Sequence, residues 1–166
     1  SSLQLAWRKS VEAGYRRIGV ACCRHENPPF PDDRLRLAAL LECQYETPRK
    51  QRIPPFLGSP GDKESYMEWL KDNRPDAVIG FQAHHYYYLL ECGMKVPGDI
   101  GFSSIVRDEE LTPDLISGVE ASNTQVCFNV LSLLNQLVRN RIRGMPEYPT
   151  TVLVESRWHE GKTLKK

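Results

Sequence analysis

Three short apolar runs, residues 18–23, 76–80 and 99–104, each follow an amphipathic stretch and a turn residue, and this alternation constrains the fold more than any other feature. Leu3, Ala6, Trp7 and Val11 fall at helical spacing and end at Gly14, a residue free to take the left-handed conformation that closes a helix. Asp32 or Asp33 is placed to cap a helix carrying Leu35, Leu37, Ala38, Leu40 and Leu41, which Thr47-Pro48 ends. A short extended piece over 52–57 precedes Gly58-Ser59-Pro60-Gly61, and Tyr66, Met67, Trp69 and Leu70 mark the next helix. A helix through His84, Tyr88 and Glu91 stops at Gly93, and Val96-Pro97 turns the chain into the third run. Residues 115–119 read as extended, 123–143 as a helix with Cys127, Val130, Leu131, Leu134, Leu137 and Val138 on one side, and 150–155 as the last strand. Units of this length imply a parallel sheet with right-handed crossovers.

At 166 residues and 40% hydrophobic content the chain is long enough to bury one proper core. Its net charge of +1 lacks the basic excess of a phosphate-binding surface. No apolar run approaches the ~20 residues of a membrane helix and no secretion signal is evident, so the chain reads as cytoplasmic. Cys22, Cys23, Cys43, Cys92 and Cys127 sit inside apolar patterns, as reduced core thiols do. His84-His85 lacks the i, i+4 spacing of two helix-borne metal ligands, and Cys22-Cys23 has no second pair at zinc spacing. Gly161-Lys162-Thr163 imitates the end of a phosphate loop, but Ser156 stands where its leading glycine belongs. Neither catalytic residues nor a metal or cofactor site is expected, and the chain reads as a non-enzyme.

Open parallel sheets take ligands beyond the carboxyl ends of their strands, which singles out the loops after Cys23, Leu57, Gly80 and Ser104. The first of these, Arg24-His25-Glu26-Asn27-Pro28-Pro29-Phe30-Pro31, is too rich in proline for helix or regular strand. Tyr86, Tyr87 and Tyr88 follow one another on one short helix and point in three directions, so one subunit does not bury them all. Tyrosine is enriched at interfaces, where its large area and polar tip both find use.

Two runs carry a family resemblance: Ala13-Gly14-Tyr15-Arg16-Arg17-Ile18-Gly19-Val20 and Val96-Pro97-Gly98-Asp99-Ile100-Gly101-Phe102. A third segment strengthens it: Pro146-Glu147-Tyr148-Pro149, then Thr151-Val152-Leu153-Val154-Glu155 and Glu160-Gly161-Lys162-Thr163-Leu164. Together they resemble the effector-binding domain of bacterial repressors of the LacI/GalR family. The resemblance implies an α/β, three-layer, periplasmic-binding-protein-like type I fold with a parallel sheet and helices on both faces. It implies a partial domain, with 15–120 and 156–166 in the C-terminal lobe and 1–14 and 121–155 as elements of the N-terminal lobe, the chain crossing near Arg16, Ala121 and Arg157. A helix-turn-helix has no room in this chain, which is accordingly expected to be a fragment whose 123–143 stripe needs cover from outside.

The resemblance further implies a sensor that binds a small effector, a sugar or related metabolite, in a cleft between lobes, and that controls operator DNA through a domain absent from this chain. Arg36 matches the position from which family members reach the effector with a guanidinium fork. His25, Phe81, Gln82, Ser104 and Arg107 complete the expected effector site, and Tyr86, Tyr87, Leu90, Pro113 and Leu115 the expected homodimer interface. Two departures stand out: Phe81-Gln82-Ala83-His84 replaces an asparagine and aspartate, and Ser103-Ser104-Ile105-Val106-Arg107 replaces a glycine, aromatic and aspartate. The alternative on the same architecture is a periplasmic solute-binding protein for sugar-type ligands.

Overall fold

The computed structural model describes residues 1–22, 31–59, 61–81, 83–108, 112–144, 148 and 150–166. Helix α1, Ser2–Glu12, is capped by Ser1, whose hydroxyl accepts the Gln4 amide, and it closes at Gly14 with φ +92°. Strand β1, Ile18–Ala21, and strand β2, Ala77–Gly80, lie side by side in parallel with Ile18 opposite Ala77. Their register is pinned at the base by Asp76, whose two carboxylate oxygens each accept a backbone N–H, from Arg16 and Arg17, at 2.9 Å. The Arg17 guanidinium then reaches the carbonyls of Lys50, Asn73 and Arg74, tying three connections to one strand start.

Strand β3, Gly101–Arg107, continues the parallel set beside β2, and β4, Gly118–Glu120, lies parallel to β3. Strand β5, Arg157–His159, closes the order β1-β2-β3-β4-β5 antiparallel to β4, so the sheet is mostly parallel. The extended piece before Gly58 adds a bridge on the other edge, Phe56 pairing with Ala21. Both faces of the central strands are buried, which is why they read as unbroken apolar runs. Ile18, Val20 and Ile79 meet Leu3, Ala6 and Trp7 of α1 and Leu40 of α2, Pro31–Tyr45. On the opposite face Val78 and Phe102 meet Tyr66 and Leu70 of α3, Lys63–Asn73, and Tyr86 and Leu89 of α4, His84–Glu91. Helix, sheet and helix form the three expected layers.

Several expectations change. Residues 1–14 were expected with the other lobe, yet α1 is packed on the sheet of its own chain; the short connection through Gly14 leaves it beside the strand it precedes. Helix α2 begins at Pro31, whose fixed φ suits a first helical position, so Asp32 and Asp33 lie in the first turn rather than at the cap. Residues 150–155 form no strand, because a strand needs a neighbour and β4 finds one in β5 instead. The apolar stripe, by contrast, is uncovered as expected: helix α5, Asn123–Arg139, buries none of its residues, and Phe128, Leu131, Leu134 and Val138 are all exposed. Among the described residues no helix is long and apolar enough to cross a membrane.

The Gly161-Lys162-Thr163 run is a brace. Lys162 N–H donates to the Leu115 carbonyl at 2.6 Å, the Thr163 hydroxyl accepts the Ser117 amide at 2.9 Å, and the Thr163 carbonyl accepts Phe102 N–H at 2.8 Å. Gly161 is required by close approach, since a Cβ there would stand 2.4 Å from the Leu115 carbonyl oxygen and 2.5 Å from Ser117 N.

Candidate functional site at the carboxyl edge of the sheet

Cys22 and Phe81 follow directly on β1 and β2, and Ser104 of β3 stands level with Gly80. Arg36, in the second turn of α2, lays its guanidinium over the Phe81 ring, 4.2 Å from the centroid. One of its nitrogens pairs with Asp33 a turn earlier, while its buried Nε has no hydrogen-bond partner among the described residues. The same group lies beside Cys22, whose thiol is pushed up to about 11 by burial first, against a smaller opposing pull from the Arg36 cation. The Ser104 hydroxyl donates to the Val106 carbonyl at 2.8 Å, accepts the Val106 amide at 3.3 Å and lies 3.4 Å from the Phe81 carbonyl.

Arg36, Phe81 and Ser104 are thus brought together where an open sheet receives its ligands. Arg36 is 9% exposed and already paired with Asp33, so this edge holds a planar cation stacked on an aromatic ring beside a neutral thiol. His25 and Gln82 lie outside the described residues. Arg107 is engaged elsewhere: its side chain is 2% exposed and holds the Glu120 carboxylate on one nitrogen and Asp114 Oδ1, at 2.9 Å, on another. Its two terminal nitrogens are taken by its own chain, while its buried Nε has no hydrogen-bond partner among the described residues. Sequence reasoning missed both acidic partners and His159, whose Nε2 donates to the Asp114 carbonyl at 2.8 Å and whose Nδ1 lies 3.4 Å from Glu120. Their only signal was a histidine and two acids scattered through polar runs.

The expected interface divides. Tyr86 is a core residue, 7% exposed and set against Phe102 with ring centroids 5.6 Å apart, because the first turn of α4 faces the sheet. Tyr87, Leu90 and Leu115 are exposed and Pro113 is half-buried. They flank one cluster, since Ile116 is buried with Tyr86 and Leu89. His85, fully buried, is packed edge-on against Tyr66 at 4.7 Å, and His84 beside it is held below the ordinary imidazole range by burial. A separate open groove of about 760 Å³ lies at the other end of β1, between α1 and the last turns of α2, and is lined by Trp7, Val11, Tyr15, Ile18 and Cys43. Its size is no argument for function, because it is remote from the strand ends that position Arg36 and Phe81.

The sequence matches the family model of the periplasmic binding protein-like domain over residues 8–164. No curated protein matches it. Solved structures with the same fold include a putative transcriptional regulator of the LacI family from Rhizobium etli, with TM-score 0.74 and 19% identity over 99% of this chain and 62% of the other. The Escherichia coli transcriptional repressor ascG gives TM-score 0.72 and 17% identity over 99% and 61%. A LacI family transcriptional regulator from Enterococcus faecium with bound ribose gives 0.69 and 16% over 99% and 62%. The chain therefore spans roughly three fifths of the length of these structures.

Proposed function

The chain belongs to the periplasmic binding protein-like domain family, and on that premise we propose that it is the ligand-sensing part of a LacI-like, DNA-binding transcriptional regulator. One observation carries this reading: Arg36, Phe81 and Ser104 converge at the carboxyl edge of a mostly parallel sheet, where a small effector meets a guanidinium and an aromatic face. Neighbours described as transcriptional regulators, one with bound ribose, support an effector of the sugar type and a role other than catalysis. Residues 1–120 and 156–166 form one lobe and 121–155 belong to a second. Effector binding in the cleft between them changes their angle, and a homodimer formed through Tyr87, Leu90, Pro113 and Leu115 passes the change to DNA-reading domains outside this chain. The protein works in the cytoplasm.

A thermal-shift screen of sugars, sugar acids and purines tests the reading. A ligand at ~100-fold excess over its Kd stabilises by about 2.7 kcal/mol, which a melt resolves readily. A hit whose shift disappears in Arg36→Ala supports the site; a full shift retained in that variant places the ligand elsewhere.

A further inference from the structure

Residues 121–156 leave and rejoin the sheet at one place. Glu120, the last residue of β4, is the register partner of Arg157, the first residue of β5, so the whole excursion stands on a two-stranded stem. At the base of that stem four residues close a ring. The buried Arg107 guanidinium grips Glu120 on one side and Asp114 on the other, Glu120 lies 3.4 Å from His159 Nδ1, and His159 Nε2 returns to the Asp114 carbonyl at 2.8 Å. The ring spans β3, the 112–117 segment and both strands of the stem. Arg107 also reaches the Thr112 carbonyl at 3.4 Å, which adds a strut to the same segment.

The position of the ring gives it a consequence. Arg107 is the carboxyl-terminal residue of β3, three residues beyond Ser104, on the edge that holds Arg36 and Phe81. We propose that the Arg107, Glu120, His159 and Asp114 ring is a latch fixing the angle of the β4–β5 stem, and with it the 121–156 excursion, to the carboxyl edge of the sheet. Arg107, Glu120 and His159 are then positioning residues: none needs to touch an effector, and each sets where the excursion points. A ligand that shifts the end of β3 loosens the stem. That last step rests on the reading of the carboxyl edge as a ligand site; the latch itself does not.

The test uses no ligand. Spin labels on the two exposed cysteines, Cys92 at the end of α4 and Cys127 in α5, report the distance between sheet and excursion, in a background of Cys22→Ala, Cys23→Ala and Cys43→Ala. Doubly labelled protein, the full chain, is diluted with unlabelled protein so that only distances within one molecule are read. The parent gives a narrow distribution, and Glu120→Gln broadens it about twofold, as a released hinge does. Where Glu120→Gln fails to fold, His159→Ala opens the ring at its solvent side while leaving the buried Arg107 and Glu120 pair intact. His159→Gln, whose amide N–H can replace the bond to the Asp114 carbonyl, restores most of the narrowness. Glu91→Gln removes the exposed pair with Lys63 on the body of the sheet domain and leaves the distribution unchanged. Distributions for the folded ring variants that superimpose on the parent's overturn the latch and leave the ligand site standing; a failed ligand screen leaves the latch standing.

Discussion

The phenol ring of Tyr15 lies against the bare Cα of Gly101, where a Cβ would stand 2.4 Å from the ring's Cζ. The ring has little room to yield, because its hydroxyl accepts the Lys165 amide at 3.2 Å and the Lys165 ammonium sits 5.3 Å over its face. Gly101→Ala is therefore an overpacking change, expected to cost about 1–3 kcal/mol. In a chain of this size that lowers Tm by roughly 2–4 °C for each kcal/mol. Gly61→Ala, with nothing within 4 Å of the new Cβ, is the control and should leave the melt unchanged.

Arg36→Lys keeps the charge but loses the planar fork and its stacking on Phe81. Binding of any sugar-type effector identified by the thermal screen should weaken about tenfold, equivalent to ~1.4 kcal/mol, in a calorimetric titration. Unchanged affinity would remove Arg36 from the site.

The thiols should separate by reactivity. Cys92 and Cys127 are exposed, whereas burial, the larger cause in each case, pushes both Cys22 and Cys43 up to about 11 from an ordinary value near 9. The thiolate is the nucleophile, so at pH 8 a thiol reagent followed by mass spectrometry should mark Cys92 and Cys127 before Cys22 and Cys43. The fold prefers the neutral form of the two raised thiols, so their contribution to stability is fully present below pH ~9 and is lost as pH rises through about 11. Cys22→Ser should flatten that alkaline fall in a pH series of melts.

Leu90 and Tyr87 are exposed on the outer side of α4, beside the half-buried Pro113 and exposed Leu115. A two-fold contact over this face would be broken by a buried, unpaired carboxylate. Leu90→Asp should move the protein from dimer to monomer in sedimentation velocity. A parent protein that is monomeric at high micromolar concentration sinks this interface.

What the sequence disclosed, it disclosed through local rules. Ile18-Gly19-Val20 and Ala77-Val78-Ile79 are apolar because both faces of the strand are covered, and Gly14 and Gly93 end helices because each adopts positive φ. Burial of individual helix faces was less legible: three adjacent tyrosines look alike in sequence, but the sheet lies against Tyr86 and leaves Tyr87 exposed. The β-branched Thr150-Thr151-Val152 run reads as strand yet lacks a neighbour, while the polar Arg157-Trp158-His159 pairs at the sheet's edge. Arg36 was singled out by its place in a motif. Its contact with Phe81 joins a helix and a strand end distant in the chain, and no spacing rule reaches that far. The pairing of Arg107 with Glu120 and Asp114 was equally invisible, since a guanidinium reserved for ligand and one spent on its own acids have the same sequence.

The pairing of Glu120 with Arg157 also says something about chain topology. Opposed residues of an antiparallel pair stand only ~5 Å apart, so a tight hairpin turn of a few residues would span the gap between them. Residues 121–156 therefore have the geometry of an insertion: excised and replaced by such a turn, they would leave β4 and β5 as an ordinary hairpin and the rest of the sheet with its order and helices intact. What is attached there can be exchanged as a cassette without rewiring the domain that carries it.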